Sequence, residues 1–509
     1  MRTKKAAINS SINILCFFIT FIPNLLIRKV FLQSLGSELL GLNSLYTNIV
    51  GWLSIIELGI GPAIIFSLYK PYAKNDQKQI RAYIKFYGKF YKVIGFSILL
   101  GGMLLSPFLK FFINGEIDLK IATLGFILFL FNSFISYIFS HRLCILNVAQ
   151  ESYKITIGTT ISKLLIVVLQ LIMFNIYSSF ILFILIQLII NFIYFITINI
   201  YIKNRFIWLY TGNEELRNVE RNGLLKNVKA MFMHKIGSLV IGSTDNIVIS
   251  KFIGLNILAN YTNYQMIIGA VQTIIYTGLN GITASIGNML ADEDCNKAYN
   301  IHKKIFFLNF WIVSFIIISL FNTLNQFIGI WVGSEYLLDN LTYSIILINT
   351  YFALMRGSVE QFQSGSGNFY QDRYAPIFES IINLVTSVVL VKFIGISGVF
   401  IGTLISNLLV VFWTKPYVVY KYIFNKNLFE YFKMYFKYLL IGIVPLIITH
   451  NLTSSIKNSY LLWYFILNCI INIIVINFIY IVIFFRTSEF KYYLQLFNKL
   501  RKKINLLNL

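Results

Sequence analysis

Apolar stretches long enough to cross a bilayer recur along almost the entire chain. Runs such as LLIVVLQLIMF (164–174) and FILIQLIINFIYFI (183–196) carry no charge and do not alternate apolar with polar positions. The hydrocarbon core of a bilayer asks about 20 apolar residues of a helix, and only helices and closed barrels satisfy the backbone there. A barrel would alternate over segments of about ten residues, so the pattern predicts an all-α polytopic membrane protein. Only 12% of the 509 residues are charged, against roughly 25% in a soluble domain.

Charge clusters divide the apolar sequence into about 14 transmembrane helices: 7–32, 39–69, 86–112, 118–142, 154–176, 179–203, 226–251, 256–288, 304–332, 339–363, 374–395, 397–423, 433–450 and 459–486. The first of these begins like a secretory signal, but its apolar part is too long and no small-x-small site follows, so it reads as an uncleaved span. With the N-terminus inside, 33 of the 43 Lys and Arg fall on the cytoplasmic side and seven on the outer side. That bias predicts N- and C-termini in the cytoplasm. It also accounts for most of the net charge of +23, so the basic loops are expected to face anionic headgroups and no nucleic-acid partner is needed. Cys16, Cys144, Cys295 and Cys469 lie far apart and without CxxC spacing, which predicts neither a disulfide framework nor a metal site.

A shift of 218 residues lays LGSELLGLNSLYTNIVG (35–51) on IGLNILANYTNYQMIIG (253–269). Gly36, Leu40, Tyr46, Ile49 and Gly51 meet Gly254, Leu258, Tyr264, Ile267 and Gly269. Six spans separate the copies, an even number, so both copies have the same orientation and the repeat is parallel. The expected organisation is two six-helix bundles, 1–203 and 226–423, a cytoplasmic linker at 204–225, and two extra helices with a basic tail at 424–509. Duplicated bundles of this kind suit a transporter that works by alternating access.

A charge at the centre of a spanning helix costs about 2.5–3.5 kcal/mol on insertion scales, so it is expected to face a cavity or a partner. Glu57, Lys163, His234, Lys235, Asp245, Arg356, Glu360 and Glu379 are such residues, with Arg28 near an outer end. His234, Ser238, Gly242 and Asp245 share one arc of the seventh span, with Lys235 at its margin and aliphatic residues opposite. The bland alternative is that His234 and Lys235 snorkel to the cytoplasmic interface. Arg356 and Glu360 stand i, i+4 and can neutralise each other. Glu57 and Lys163 can form a second pair in the first bundle. Pro23 and the segment Gly59-Ile60-Gly61-Pro62 are expected to bend or loosen their helices. No phosphate loop, HExxH or clustered His/Cys/Asp set occurs, so the reading is of a secondary transporter, not an enzyme, with no cofactor beyond a coupling ion, H+ or Na+.

The stretch GLNSLYTNIVGWLSIIELGIGPAIIFSLYKPYAKND (41–76), with ELGIGPA, SLYKP and Asp76, resembles the polysaccharide repeat-unit flippases. These are the Wzx-type branch of the multidrug/oligosaccharidyl-lipid/polysaccharide exporter superfamily. The match is best over about 35–125, and a weaker echo, MFMHKIGSLVIGSTDNIVISKFIG with ANYTNYQ after it, opens the second half. The resemblance implies two bundles around a central cavity. It also implies a substrate of short oligosaccharide joined through pyrophosphate to undecaprenol, flipped for capsule, O-antigen or exopolysaccharide assembly. In the related lipid-II flippases cavity cations are essential, but no motif here maps them. From the local pattern alone, Lys235 and Arg356, backed by Arg28, Lys163 and His234, are expected to meet the pyrophosphate. Glu57, Asp245 and Glu360 are expected to carry the coupling ion. The basic segment 70–92 is a topology signal that could also dock glycosyltransferases or a polymerase. A drug or metabolite antiporter of the same superfamily, and a membrane polymerase or ligase, are the competing readings.

Overall fold

The computed structural model describes residues 2–57, 60–212, 214–218, 220–222, 224, 228, 244–292, 294–454 and 461–507. Within these residues the regular structure is helical and there is no strand. The chain divides into two compact units, Met1–Ala259 and Asn260–Leu509.

The first unit holds α1 (Arg2–Leu53), α2 (Ile60–Ala73), α3 (Gln77–Leu105), α4 (Leu119–Ser140), α5 (Ser152–Ile176) and α6 (Phe180–Arg205). It also contains a helical stretch at 244–252 and the start of α7 (Leu255–Asp292). The second unit carries the rest of α7, then α8 (Cys295–Trp331), α9 (Asn340–Ser366), α10 (Ala375–Ile394), α11 (Ile396–Tyr422), α12 (Leu428–Ser454), α13 (Leu462–Phe484) and α14 (Ser488–Leu507).

Among the described residues, 11 helices are long and apolar enough to cross a membrane. Three places account for the difference from 14. The first predicted span and the first part of the second run together as one helix, α1, interrupted at Gly36 (φ 80, ψ 174), and the rest of the second forms the short α2. The span expected at 226–251 falls mostly outside the described residues. The span at 339–363 forms α9, which is 27 residues long and spans about 40 Å at ~1.5 Å per residue. Its Thr, Asn, Gln, Arg and Glu make it more polar than the spans counted here.

The positions paired by the 218-residue shift share their local geometry. Gly36 and Gly254 both adopt positive φ, 80° and 130°. Only glycine takes up that region without strain, so each marks the break before a new helix. Tyr46 and Tyr264 are both fully buried. The Tyr46 hydroxyl donates to the Ala122 carbonyl at the start of α4, and that of Tyr264 to Asn325 Oδ1 at 2.6 Å. Asp76 and Asp294, also 218 apart, cap α3 and α8 by accepting from Gln79 N (3.0 Å) and Asn296 N (3.2 Å).

In the first unit the Gly254 break packs onto the Gly36 break. Ser37 Oγ donates to Asn256 Oδ1 at 2.6 Å, and Asn256 Nδ2 to Glu38 Oε1 at 3.4 Å. A Cβ placed on Gly41 would lie 2.1 Å from the Leu255 carbonyl oxygen. Backbone cannot retreat there as a flexible side chain would. Gly41→Ala is therefore expected to destabilise by about 1–3 kcal/mol, the usual cost of overpacking. The check is a lower thermal midpoint of the purified protein; an unchanged midpoint would mean the two breaks do not touch.

Inside lipid, helices gain little from apolar contact alone, and polar bridges and close packing hold them. The second unit shows this at α13. Asn322 Nδ2 donates to Asn472 Oδ1 (2.8 Å) and to Thr449 Oγ1 (2.9 Å), and Asn468 Nδ2 donates to Gln326 Oε1 (3.0 Å). Trp311 Nε1 donates to Asn477 Oδ1 (2.9 Å), and the Tyr480 hydroxyl donates to Ser314 Oγ (2.8 Å). These contacts fasten α12 and α13 to α8 between Trp311 and Gln326.

The segment 206–221 is held against α3 by charge. Arg81 Nε donates to Glu214 Oε2 at 2.7 Å and its NH2 to the other carboxylate oxygen, while NH1 reaches the Trp208 carbonyl at 3.0 Å. This two-pronged hydrogen bond keeps the Glu214 carboxyl well below its ordinary range, at about 2. Lys85 and Lys89 both reach Glu215. Three basic side chains of 70–92 are thus already engaged by this chain.

Candidate functional site

The break that interrupts the second predicted span carries the first candidate. Helix α1 ends at Leu53, a single 3-10 turn covers Ser54–Glu57, and α2 resumes at Ile60. Glu57 lies on that turn. The Tyr137 hydroxyl of α4 donates to its Oε2 at 2.5 Å, and the Tyr91 hydroxyl of α3 donates to Oε1. The Tyr87 ring lies 4.2 Å from that of Tyr91, centroid to centroid. A Cβ on Gly61 would sit 3.1 Å from the Tyr87 hydroxyl, so the small residue leaves room for the ring. The carboxylate is therefore held by phenol donors from two other helices. The expected partner Lys163 does not take part.

Lys163 lies on α5, where Ile161, Leu165, Val168 and Ile172 form one exposed apolar face. At about 100° per residue Lys163 points to the opposite side of the helix, and it is exposed there. The same side carries Thr156 and Thr159. Helices α1 and α5 run parallel. Asn9 Nδ2 donates to the Gln150 carbonyl at 3.3 Å, and Tyr153 N donates to Asn9 Oδ1 at 3.0 Å. Thr156 Oγ1 donates to Asn13 Oδ1 at 2.7 Å. Carried along in that register, Arg28 stands about 12 Å further along the axis than Lys163.

His234 and Lys235 lie outside the described residues. Asp245, on the described stretch that follows, is buried at 8% exposure. Its neighbour Asn246 donates to Asn48 Oδ1 at 3.1 Å.

Arg356 and Glu360 come together in the second unit as their spacing predicted. Arg356 Nε donates to Glu360 Oε1 at 2.8 Å, and its NH1 reaches Asn407 Oδ1 at 3.4 Å. Asn407 opens a π-helical turn, Asn407–Val411, inside α11. Such turns widen a helix locally and are frequent at functional positions. Glu379 on α10 is close enough to feel the charges of both Arg356 and Lys415. A second pair stands nearby, between α11 and the turn that joins α9 to α10. Lys415 Nζ meets Asp372 Oδ2 at 2.9 Å, and Gln363 Nε2 donates to Asp372 Oδ1 at 2.9 Å. Two cations and three carboxylates thus gather where α9, α10 and α11 meet.

Sequence reasoning missed Tyr91 and Tyr137, Asn407, and the Asp372–Lys415 pair. One signal was available: Tyr83, Tyr87 and Tyr91 recur every fourth residue on α3, a phenol stripe on one helix face. Among the described residues, no group of three or more His, Cys, Asp or Glu is placed to hold a metal ion.

No protein-family model and no curated protein matches the chain. Solved structures do match, at the level of fold. The lipid II flippase MurJ, in an inward closed conformation, matches with TM-score 0.71 at 13% identity, covering 93% of this chain and 98% of that one. An inward-facing multidrug resistance transporter of the MATE family, within the MOP superfamily, matches at TM-score 0.62 and 14% identity. That match covers 79% of this chain and 95% of the other. A MOP-superfamily transporter from Pyrococcus furiosus, described as having a binding pocket of reverse polarity, matches at TM-score 0.55 and 12% identity over 80% and 92%. The chain therefore has the fold that this flippase and these MOP-superfamily transporters share.

Proposed function

We propose that this protein flips undecaprenyl-pyrophosphate-linked oligosaccharide repeat units across the bacterial plasma membrane by alternating access, for export of a surface polysaccharide. The observation that carries the reading is the extent of the fold likeness. The lipid II flippase accounts for 93% of the chain against 79% for the multidrug transporter. Embedded cations and the Wzx-like residues at 41–76 point the same way. The organisation belongs to the same reading: about 14 spans, with bundles at 1–203 and 226–423, a linker at 204–225, an appended 424–509 and both termini cytoplasmic.

A pyrophosphate crosses hydrocarbon only if its charge is neutralised. In this reading Lys235 meets it as a point charge and Arg356 by a two-pronged hydrogen bond, with Arg28, Lys163 and His234 behind them. Arg356 is held by Glu360, and in this reading substrate exchanges one anion for another at the same guanidinium. Glu360, Glu57 and Asp245 are the sites at which a proton or Na+ couples to the cycle. The polyprenyl tail stays in lipid, and a polymerase or glycosyltransferases act before and after.

The test is where lipid-linked oligosaccharide resides in cells depleted of the protein. Accumulation in the cytoplasmic leaflet with loss of surface polymer is the expected outcome. Unpolymerised oligosaccharide in the outer leaflet would identify a polymerase or ligase instead. If neither pool changes, the multidrug-type antiporter that the second likeness suggests takes precedence.

A further inference from the structure

A groove of about 750 Å³ runs between α7 and α8 in the second unit, and α14 borders one end of it. Its walls are aliphatic, with Ile282 on α7 and Ile305 and Ile312 on α8 among them. Asn309 lies in its floor, but its amide already donates to the Leu354 and Met355 carbonyls at 3.0 and 3.3 Å. An occupant of the interior therefore needs to offer hydrocarbon, not hydrogen bonds. From Ile274 to Met289 the lining covers about 22 Å of helix at ~1.5 Å per residue. A single leaflet contributes about 15 Å of hydrocarbon, so the groove reaches from the interface through one leaflet.

The mouth has a different chemistry. Lys297 lines it, together with Tyr492 and Tyr493 of α14. Lys304 lies two turns beyond Lys297 on the same face of α8, its Nζ 3.9 Å above the Tyr492 ring. Helix α14 is fixed in place by the Tyr493 hydroxyl, which donates to the Lys304 carbonyl at 3.1 Å, and by Phe490 stacked on Trp311 at 5.9 Å. Its sequence, SEFKYYLQLFNKLRKKINLL, separates an apolar arc from a basic one, as in helices that lie in the headgroup plane. Two ammonium groups and two phenols thus border the open end of an apolar slot, on the side that the charge bias assigns to the cytoplasm.

We infer that this groove binds one anionic glycerophospholipid of the cytoplasmic leaflet, with an acyl chain between α7 and α8 and the phosphate at Lys297 and Lys304. The lipid fills a space that the protein leaves open and ties α14 to the bundle. The proposal does not depend on what the protein transports. Charge complementarity selects the occupant: a zwitterionic lipid offers the same chains but cancels the phosphate with its own cation, and anionic headgroups contribute about 1 kcal/mol per nearby Lys or Arg.

Gly278 gives a clean test. A Cβ there meets no atom within 4 Å, and the residue lines the groove. Gly278→Phe fills the slot without displacing protein. Gly281 is equally open but is not part of the lining, so Gly281→Phe is the control. The full-length protein, purified in mild detergent, is offered equal palmitoyl-oleoyl phosphatidylglycerol and phosphatidylcholine, and bound lipid is read by native mass spectrometry. Wild type is expected to retain one phosphatidylglycerol in roughly thirtyfold preference, the ~2 kcal/mol that two lysines supply. Gly278→Phe loses it and Gly281→Phe keeps it. Lys297→Gln with Lys304→Gln keeps lipid but loses the preference, which tests the proposal even if Gly278→Phe fails to fold. Equal retention of the two lipids by wild type, undiminished binding by Gly278→Phe, or a polyprenyl phosphate as the retained species would each overturn it.

Discussion

Arg356→Gln is expected to abolish export of surface polymer, and adding Glu360→Gln is expected to restore the protein to the membrane without restoring export. Two effects have to be separated. Removing the arginine leaves Glu360, 2.8 Å away, without its cation, and Glu379 loses a favourable neighbour as well. Breaking a fully buried pair from one side costs about 3–5 kcal/mol, while an exposed pair contributes under ~1 kcal/mol. The two side chains are 18% and 30% exposed, which places this pair between those limits. That loss alone would lower the amount of folded protein. Replacing both partners by neutral residues of similar shape removes the stranded charge, so abundance should recover.

Export should not recover if the guanidinium also meets pyrophosphate. Membrane abundance and surface polymer, measured on both single variants and the double, give the answer. Recovery of both in the double variant would make the pair structural and end the substrate assignment. Arg356→Lys refines the point, since it keeps the charge but loses the fork that matches two phosphate oxygens. Its export is expected to fall by roughly tenfold, the ~1.4 kcal/mol of one charge-assisted hydrogen bond, at unchanged abundance.

What the sequence made legible followed from local physics. Apolar runs specify helices because nothing else satisfies a backbone in lipid. Gly36 and Gly254 stood out by alignment, and positive φ explains why both are glycine. The i, i+4 spacing of Arg356 and Glu360 is a property of one helix and needed no tertiary information. Bends were harder to place. Pro23 lies within an unbroken part of α1, since membrane helices re-satisfy the backbone around a proline. The break came instead at Ser54–Glu57, just before the Gly-Pro segment expected to cause it. The π turn at Asn407 has no proline or glycine to announce it. The partners of Glu57 were out of reach for another reason. Tyr91 and Tyr137 are 34 and 80 residues away on other helices, and no periodicity links them to a carboxylate. Asp372 and Lys415 are likewise joined only by packing.

Those tyrosines make Glu57 the more informative residue for energy coupling. A glutamine in its place keeps the shape, and phenol hydroxyls can accept from an amide as readily as they donate to a carboxylate. Glu57→Gln should therefore fold and reach the membrane in normal amount while carrying no charge and no titratable proton. If Glu57 loads the coupling ion, flipping in proteoliposomes should lose its response to an imposed proton or Na+ gradient. The rate should then fall by roughly tenfold or more, at least ~1.4 kcal/mol on the barrier. Glu57→Asp retains the charge on a shorter arm that reaches one tyrosine but not both, so partial coupling is expected. Tyr91→Phe combined with Tyr137→Phe keeps the carboxylate but strips its donors, and should alter the ion dependence without removing it. A structural role predicts the reverse order: Glu57→Gln fully coupled, and the double phenylalanine variant the one that fails to accumulate. The two orders cannot both hold, so the comparison decides whether the break in the second span is a coupling site or a packing solution.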